Sequence, residues 1–593
     1  MAIKGTLGQA LINSHLPEQF RTSGQRDKKS LKASVLDYAR TDPAGYARSI
    51  SRIKEIGDSV ATFEGISVGL DDIAPDYAAR DAVVRAIAPK LKAAKTSAEY
   101  NKHLLKTQDK FLGITKKHPG DMGLMARSGG RGSVAQLMKT TTGQALVGDF
   151  DGNPVPYFIQ RSYAEGLSPA EAWVTGDESR SQVIKGNLGT ADPGELGKLL
   201  ATMMSGQVVS DADCGTKNGI MVQPDDPGVL GRYRAGTTKR IDPRERASML
   251  RSKKSLMVRS PMTCESHSGV CQKCQGADTM GADYSIGDNV GIRAAQVLAE
   301  PLTQMTLSAK HGVSLVEDKD DDVPGGLAAV RQFLEIPSSF AGKAALAKKQ
   351  GRVTAIQEAS QGGWNVDVEG ERHYISPKRK LAVKEGDKLD AGDVLTNGIP
   401  APNEVVALKG LGAGRKYIVD SFRKTYQDQG HTVDPRHFEL VAKAHLNAVE
   451  VRSPFGDYLP GDVISYNEAK RAYKSGSSTV NLQAAQGKAL AEDALHYTAG
   501  TRVTGQVASD LKGAGIKTVA INANPPQLTA VMKSASRVPL LNPNWMERLS
   551  HRYQKANLMQ AAQHGEESDL HGHNPYTAIV FGKGLGRKPD GSY

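Results

Sequence analysis

Long apolar runs are missing from this sequence of 593 residues. No stretch approaches the ~20 consecutive apolar residues that cross a bilayer, and the opening residues, MAIKGTLGQA, lack the apolar core of a secretion signal. These absences predict a chain that does not cross a membrane and that acts in the cytoplasm. Aromatic residues are also scarce, at 5%, which argues against a nucleic-acid site built mainly by stacking bases on aromatic rings.

Cysteine is almost absent as well, because the sequence contains only four: Cys214, Cys264, Cys271 and Cys274. The last three are spaced C-x6-C-x2-C, and two thiolates separated by two residues form half of a tetrahedral zinc site. A reducing compartment disfavours disulfides. The pattern therefore predicts a structural four-cysteine zinc site that joins distant segments. The alternative is four unrelated buried thiols.

Positive charge, by contrast, is in excess. Lysine and arginine number 76 against 64 acidic residues, which gives a net charge of +12. This balance favours a polyanionic partner whose backbone phosphates are contacted by lysine and arginine. The length is sufficient for roughly three to five modules, each with its own core.

The most informative stretch runs from Gly287 to Val313 and reads GDNVGIRAAQVLAEPLTQMTLSAKHGV. If it is helical, Thr303, Leu307 and His311 share one face, with Gln304 beside them. Such a face suits a planar ligand that carries phosphates. We expect the helix to be interrupted at Pro301, because proline removes a backbone hydrogen bond. The plainer interpretation is an ordinary surface helix with a single histidine.

This stretch closely resembles the trigger loop of the β′ subunit of multi-subunit RNA polymerases. The preceding segment, VRSPMTCESHSGVCQKCQGAD, resembles the zinc segment of the same family, and Cys214 in DADCGT matches its remote fourth ligand. The resemblance implies that Leu307 lies against the incoming base and that Gln304 contacts the sugar. It also implies that Thr303 belongs to the same nucleotide face and that His311 donates near the β-phosphate.

Two upstream segments resemble other parts of the β′ active centre. Residues 166–200 are similar to the bridge helix, which implies that Thr190 and Ala191 face the template base and that Arg180 belongs to this helix. Pro193 falls inside the predicted helix, where a kink and a helix break are both consistent with it. The segment SGGRGS, with Ser128 and Arg131, resembles a loop and helix start beneath the active centre.

The resemblance implies a multi-domain α+β chain with a helical funnel, a long bridge helix, a trigger-loop hairpin, small barrel modules and the zinc site. The implied order is as follows: 1–120 funnel, 121–165 loop and helix near the active centre, 166–205 bridge helix, 206–285 zinc region, 286–335 trigger loop, 336–405 β-rich jaw module, 406–540 clamp-side helices with an α/β module, and 541–593 switch-like region.

Three local predictions accompany this order. The segment GTLGQALIN is expected to form a short strand. Asp71 and Asp72 precede a predicted helix, so we expect an N-cap there rather than a metal site. Asp149 and Asp151 in GDFDGN look like part of a metal motif, but Asp-Gly between apolar residues predicts a hairpin turn.

No segment resembles the β′ loop whose three aspartates hold catalytic Mg²⁺. The sequence therefore looks like the C-terminal half of β′ encoded separately, as in giant bacteriophage polymerases. The implied partners are a chain with the N-terminal half of β′, β-like chains, a sigma-like factor, DNA template, RNA product and NTPs, in the host cytoplasm or a virion. Two alternatives stay open: a non-catalytic β′ mimic that regulates a host polymerase, and a zinc-stabilised scaffold that binds nucleic acid.

Overall fold

The computed structural model describes residues 6–21, 27–149, 153–187, 189, 191–278, 281–308, 324–542, 544–549 and 553–567. The chain divides into two compact units, and the boundary between Thr190 and Ala191 separates them. The first unit contains residues 1–190 and the second contains most of the remainder. Within the described ranges, no helix has the length and apolar character needed to cross a lipid bilayer.

The described part of the first unit is helical, as the sequence predicts. Its helices are α1 (Leu7–Ser14), α2 (Lys28–Thr41), α3 (Pro43–Glu64), α4 (Tyr77–Ala93), α5 (Ser97–Thr115), α6 (Gly120–Ser128), α7 (Val134–Thr141) and α8 (Pro169–Asn187). Leu104, Phe111, Met138 and Leu146 form its buried centre. Apolar positions on α5 and α7 thus face each other in this core.

The strand predicted at GTLGQALIN is wrong, because Leu7–Ser14 is the helix α1. Thr6 accepts a hydrogen bond from the Gln9 N–H, and the Gln9 side chain accepts one from the Thr6 N–H. This reciprocal capping box satisfies two backbone donors at the helix start. This helix cap therefore outweighs the strand tendency of the residues around Gly8.

The two aspartate motifs behave as ordinary local structure. Asp76 caps α4, whereas Asp72 turns back and accepts from the Gly69 N–H, so the predicted cap is shifted along the chain. Antiparallel bridges join Ala145 to Ile159 and Gly148 to Pro154, which confirms the hairpin. Residues 150–152, including Asp151, lie outside the described residues.

The second unit combines helices with several small sheets. Its helices are α9 (Ala191–Met204), α10 (Pro243–Ser252), α11 (Gln272–Gln275), α12 (Val290–Ser308, of which residues up to Met305 belong to this unit), α13 (Gly326–Glu335), α14 (Pro402–Lys409), α15 (Leu411–Asp428), α16 (Pro435–His445), α17 (Tyr466–Lys474), α18 (Leu482–Ala485), α19 (Gly505–Gly513), α20 (Trp545–Arg548) and α21 (Gln554–His564). Its largest core gathers apolar side chains of α9, α12, α13, α15 and α16 with three of the cysteines.

The strands of this unit are β1 (Val209–Asp211), β2 (Ile220–Val222), β3 (Leu256–Val258), β4 (Val270–Cys271), β5 (Gly351–Glu358), β6 (Trp364–Val368), β7 (Glu371–Ile375), β8 (Lys388–Leu389), β9 (Ala448–Val451), β10 (Val463–Ser465), β11 (Ser477–Asn481), β12 (Ala489–Leu490), β13 (Thr518–Asn522) and β14 (Leu528–Val531). Among the described residues they form five sheets: β1-β4, β2-β3, β7-β6-β5-β8, β10-β9-β14 and β11-β13-β12. Strands β5 to β8 all lie within residues 336–405, where a β-rich module is predicted.

One expectation about proline is corrected, and a second stays open. Helix α12 continues through Pro301 rather than stopping there, because Leu298 and Leu302 on either side are fully buried and hold the helix against the core. The segment predicted as the bridge helix is described as α8 up to Asn187 and as α9 from Ala191. Residues 188 and 190 between them lie outside the described residues, so one long bridge helix stays a prediction. Pro193 lies near the start of the described part of α9, and both the kink and the helix break stay consistent with it.

One buried histidine makes stability depend on pH. His445 ends α16, and its Nε2 lies 2.8 Å from the Lys533 carbonyl oxygen. Burial lowers the pKa of His445 from 6.5 to about 4, although this hydrogen bond opposes the shift. Between these pH values His445 is protonated in the unfolded chain but not in the folded chain. The contribution of neutral His445 to the free energy of unfolding is therefore fully present above pH 6.5 and is lost as the pH falls toward 4.

We therefore expect that lowering the pH from 7 to 4 removes up to about 3 kcal/mol of unfolding free energy through His445. Urea unfolding across this range measures it. His445→Gln provides the matched control, because it keeps an N–H for the Lys533 carbonyl and does not titrate, while the other histidines titrate equally in both proteins. Identical pH profiles for the two proteins would contradict the assignment.

Candidate metal centre and active-centre helices

The four cysteines come together at one point in the second unit, as predicted. Strand β1 pairs in parallel with β4, with Asp211 opposite Cys271, and this pairing brings the loop that carries Cys214 next to the other three. The sulfur atoms all lie within 4.8 Å of one another. Cys264, Cys271 and Cys274 are buried, and Cys214 is half-buried.

The arrangement fits a tetrahedral zinc ion. A zinc ion bonded to four sulfur atoms at about 2.3 Å holds them about 3.8 Å apart. The Cys214 and Cys274 sulfurs are 3.7 Å apart, and those of Cys264 and Cys214 are 3.8 Å apart. The backbone N–H groups of Cys271 and Cys274 each point at a cysteine sulfur at 3.3 Å. These four residues are therefore able to hold a metal ion as thiolates.

A buried guanidinium lies against the cluster. Arg259 Nη2 is 3.1 Å from the Cys214 sulfur and 3.3 Å from those of Cys271 and Cys274. Arg259 Nη1 donates to Asp213 at 2.5 Å. Burial opposes the charge on Arg259, but Cys274 and Asp213 outweigh it and raise the pKa of Arg259 above its usual range.

Asp213 is the acidic counterpart of this guanidinium. Lys273 Nζ donates to its other oxygen at 2.6 Å, and the Gly215 N–H donates at 2.9 Å. Burial alone would raise the pKa of Asp213. The hydrogen bonds from Lys273, Gly215 and Arg259 lower this pKa by more than burial raises it, so the pKa lies well below its usual range. Asp213 is therefore an anion in the folded chain.

Buried polar side chains on one face of helix α16 hold the backbone of the cysteine segment. Its Arg436 donates to the carbonyl oxygens of Gln275 and Ala277, and its Lys443 Nζ lies 2.7 Å from the Gly269 carbonyl oxygen. Glu439, between them on the same face, accepts from Ser260 at 2.6 Å. The backbone around the cysteines is thus held by side chains of a helix far away in sequence.

Helices α12 and α13, the arms of the predicted trigger hairpin, pack against α15, the helix that precedes α16. The Tyr426 hydroxyl of α15 donates to the Leu298 carbonyl oxygen of α12 at 2.9 Å. The Phe333 ring of α13 lies 5.8 Å from that of Phe422 on α15. Gly291 in the first turn of α12 lies so close to Met204 that a Cβ would come within 1.9 Å of its carbonyl oxygen.

Part of the predicted nucleotide face lies on α12. Thr303 is half-buried and Gln304 is exposed, with its amide donating to Glu300. The backbone is helical through Leu307 to Ser308, so Thr303 and Leu307 fall on one side of the helix. The Leu307 side chain and the whole of His311 lie outside the described residues.

The remaining predicted residues are distributed over both units. Arg180 on α8 is exposed and pairs with Asp177 at 3.0 Å, and Ala191 begins α9, whereas Thr190 lies outside the described residues. Ser128 ends α6, and its hydroxyl donates to the Met125 carbonyl at 3.2 Å. Arg131 lines a cavity of about 450 Å³ at the start of α7.

Sequence reasoning missed the charged groups around the cysteines. Arg259 stands five positions before Cys264, and Asp213 directly precedes Cys214. Their closeness in sequence to the ligands was the available signal. The sequence contains no such signal for Lys443, because Lys443 lies 179 residues from Cys264 and contacts the cysteine segment only in the folded chain.

Comparison with known proteins identifies the family. A family model described as RNA polymerase Rpb1, domain 5, matches residues 166–362 and 342–457. The DNA-directed RNA polymerase subunit beta′ of Moorella thermoacetica is 27% identical over 524 residues, which cover 79% of this chain and 44% of that protein. The same subunit of Acetivibrio thermocellus is 26% identical, covering 86% of this chain and 49% of the relative.

The subunit beta′ of Thermus aquaticus is 30% identical over 517 residues, which cover 77% of this chain and 33% of that protein. The chain therefore spans from a third to about half of the length of these relatives. The match extends over the cysteine cluster, α12, α13 and their support. This chain belongs to the RNA polymerase β′ family and corresponds to the C-terminal half of that subunit.

Proposed function

We propose that this chain is the C-terminal part of β′ in a multi-subunit DNA-directed RNA polymerase. The observation that carries the proposal is the connection between the cysteine cluster and the helices α12 and α13. The cysteine segment is held by α16, whereas α12 and α13 are held by α15. Helices α15 and α16 in turn contact each other, with the rings of Tyr426 and Phe438 5.2 Å apart. Such a support keeps a helical pair in position while the segment between its arms meets a nucleotide.

The proposed reaction is templated phosphodiester formation from NTPs, which depends on positioning and charge neutralisation. Magnesium bound by a companion chain would supply most of the charge neutralisation. In this chain Leu307 would lie against the incoming base, Gln304 and Thr303 would face its sugar, and His311 would place a donor near the β-phosphate. Opening and closing of residues 286–335 would control each addition.

The other predicted residues have supporting roles in this proposal. Residues 166–205 would act as the bridge helix, with Thr190 and Ala191 toward the template base and Arg180 on the same element. Ser128 and Arg131 would contact the backbone beneath the active centre from the loop before α7. Cys214, Cys264, Cys271 and Cys274 would bind a structural zinc ion, because a site with four cysteine ligands leaves no open position for substrate.

The proposed partners follow from the same assignment. They are a chain with the N-terminal half of β′ and the three magnesium-binding aspartates, β-like chains, DNA, RNA and NTPs. A sigma-like factor, a bacteriophage source and action in the host cytoplasm or a virion belong to the proposal as well. The net charge of +12 is consistent with nucleic-acid partners.

Co-purification tests this assignment. The chain is tagged in its natural source, and the associated polypeptides are identified by mass spectrometry and assayed for RNA synthesis. We expect a companion with the three-aspartate loop and RNA synthesis that resists inhibitors of the host polymerase. Recovery with complete host polymerase and no such companion would instead identify a non-catalytic mimic.

The role of His311 has its own test. We expect His311→Ala to slow single-nucleotide addition by about 10- to 100-fold, because one hydrogen bond to a charged group contributes about 1.5–3 kcal/mol. Rapid-quench measurement of one addition in the assembled complex gives the rate. His564→Ala, which changes an exposed histidine of α21, serves as the matched control and should not alter it. An unchanged rate for His311→Ala would remove this residue from the mechanism.

A further inference from the structure

A zinc ion in this site leaves an uncompensated buried charge. Four thiolates carry four negative charges and zinc carries two positive ones, so the centre has a net charge of −2. Three of the four cysteines are buried. A buried charge is costly unless cations or hydrogen-bond donors face it. The surroundings of the sulfur atoms should therefore contain compensating positive charge.

Two buried cations meet this requirement, and they do so differently. Arg259 is 3% exposed and Lys443 is 4% exposed. Arg259 donates directly to sulfur, with Nε 3.4 Å from Cys274 and Nη2 within 3.1–3.3 Å of Cys214, Cys271 and Cys274. Lys443 donates to the carbonyl oxygens of Gly269 at 2.7 Å and Cys264 at 3.4 Å. Of these two cations, Arg259 is the one with described contacts to the cysteine sulfur atoms.

The orientation of Arg259 is fixed from its other side. Asp213 accepts from Nη1 at 2.5 Å and is itself bound by Lys273 at 2.6 Å. The charges of Asp213 and Lys273 cancel, so this pair aims the guanidinium without changing the local balance. Because a guanidinium is planar and carries five donors in a fixed geometry, one residue can serve several sulfur atoms and a carboxylate together.

We propose that Arg259 is a charge-compensating positioning residue of the zinc site, which donates to three of its sulfur atoms and retains the metal. This inference rests on the zinc site proposed above. Hydrogen bonds to thiolate sulfur withdraw negative charge from it and oppose its protonation and departure from the metal. Lys443 contributes charge and holds the backbone, but it has no N–H directed at sulfur among the described contacts.

Loss of zinc to a chelator measures the effect. The full chain is purified with its companions as wild type, Arg259→Met and Lys443→Met, and zinc release to a coloured chelator is followed over time. We expect Arg259→Met to release zinc about 10- to 100-fold faster, the usual consequence of removing a group that binds the metal ligands. Lys443→Met, which removes an equal buried charge without an N–H···S bond, should have a smaller effect.

Cobalt substitution separates direct contact from general loosening of the fold. Removing N–H donors raises the energy of the sulfur lone pairs, so the sulfur-to-cobalt charge-transfer band of Arg259→Met should move to longer wavelength. The band of Lys443→Met should stay at the wild-type position. Arg259→Lys, which keeps the charge with fewer donors, should give an intermediate release rate and keeps the test available if Arg259→Met does not fold.

The outcomes distinguish the two proposals. If wild-type protein contains no zinc and takes up no cobalt, the zinc site itself is wrong. If wild-type protein holds one zinc and Arg259→Met has the same release rate and the same cobalt spectrum, the role of Arg259 is wrong while the zinc site stands. Equal band shifts in Arg259→Met and Lys443→Met would also overturn the inference, because they would show an effect of charge without direct donation.

Discussion

Replacing Cys274 by serine is expected to remove zinc and to unfold the segment around the cysteine cluster. Cys274 lies 60 residues from Cys214, and their sulfur atoms are 3.7 Å apart, so the metal would tie two distant loops. In small zinc domains metal binding supplies about 10–16 kcal/mol, and this free energy is folding free energy. We expect a loss of several kcal/mol and rapid proteolysis between residues 258 and 278.

Zinc per chain, measured by mass spectrometry of the metal, and limited proteolysis check this expectation together. Ser255→Ala lies in the same region without contacting a cysteine, since its hydroxyl donates to Gln223. That variant should keep one zinc and the wild-type cleavage pattern. Retention of one zinc and full protease resistance by Cys274→Ser would contradict the proposed site.

Removing the carboxylate of Glu439 is expected to have the second largest effect on stability. Glu439 and Arg232 are both 1% exposed, and their side chains form two hydrogen bonds, at 2.5 Å and 2.9 Å. Glu439→Ala leaves the Arg232 charge buried without its anion, and breaking a buried pair in this way costs about 3–5 kcal/mol. Urea unfolding of the variant and the wild-type protein measures the difference.

A double variant shows whether the loss of stability arises from the unpaired charge of Arg232. Arg232→Met with Glu439→Leu removes both charges and keeps similar volume, and such replacements of buried pairs are often close to neutral. We expect the double variant to be more stable than Glu439→Ala. If Glu439→Ala lowers the free energy of unfolding by less than about 1 kcal/mol, the Arg232 charge is compensated without Glu439. That result would contradict the account, because Arg232 is only 1% exposed to solvent.

Much of the fold was accessible from the sequence. The helical first unit, the β-rich residues within 336–405 and the helices after residue 406 agree with what the family resemblance implies for these segments. The cysteine cluster followed from composition, because a chain with only four cysteines in metal-like spacing leaves few alternatives.

Other features depend on contacts between distant residues. Glu439 meets Arg232 across 207 positions, and no local pattern connects them. The continuation of α12 through Pro301 depends on core packing that outweighs one missing hydrogen bond. Helix α1 differs from the predicted strand for a local reason, because Thr6 and Gln9 form a reciprocal capping box at its start.

Nucleotide addition by the assembled complex tests the central claim most directly. The companion polypeptides are purified with and without this chain and supplied with primed template and NTPs. We predict templated RNA extension only when the chain is present, with slower addition for His311→Ala at an unchanged subunit composition. Equal extension by the companions alone would contradict a role for this chain in the polymerase active centre.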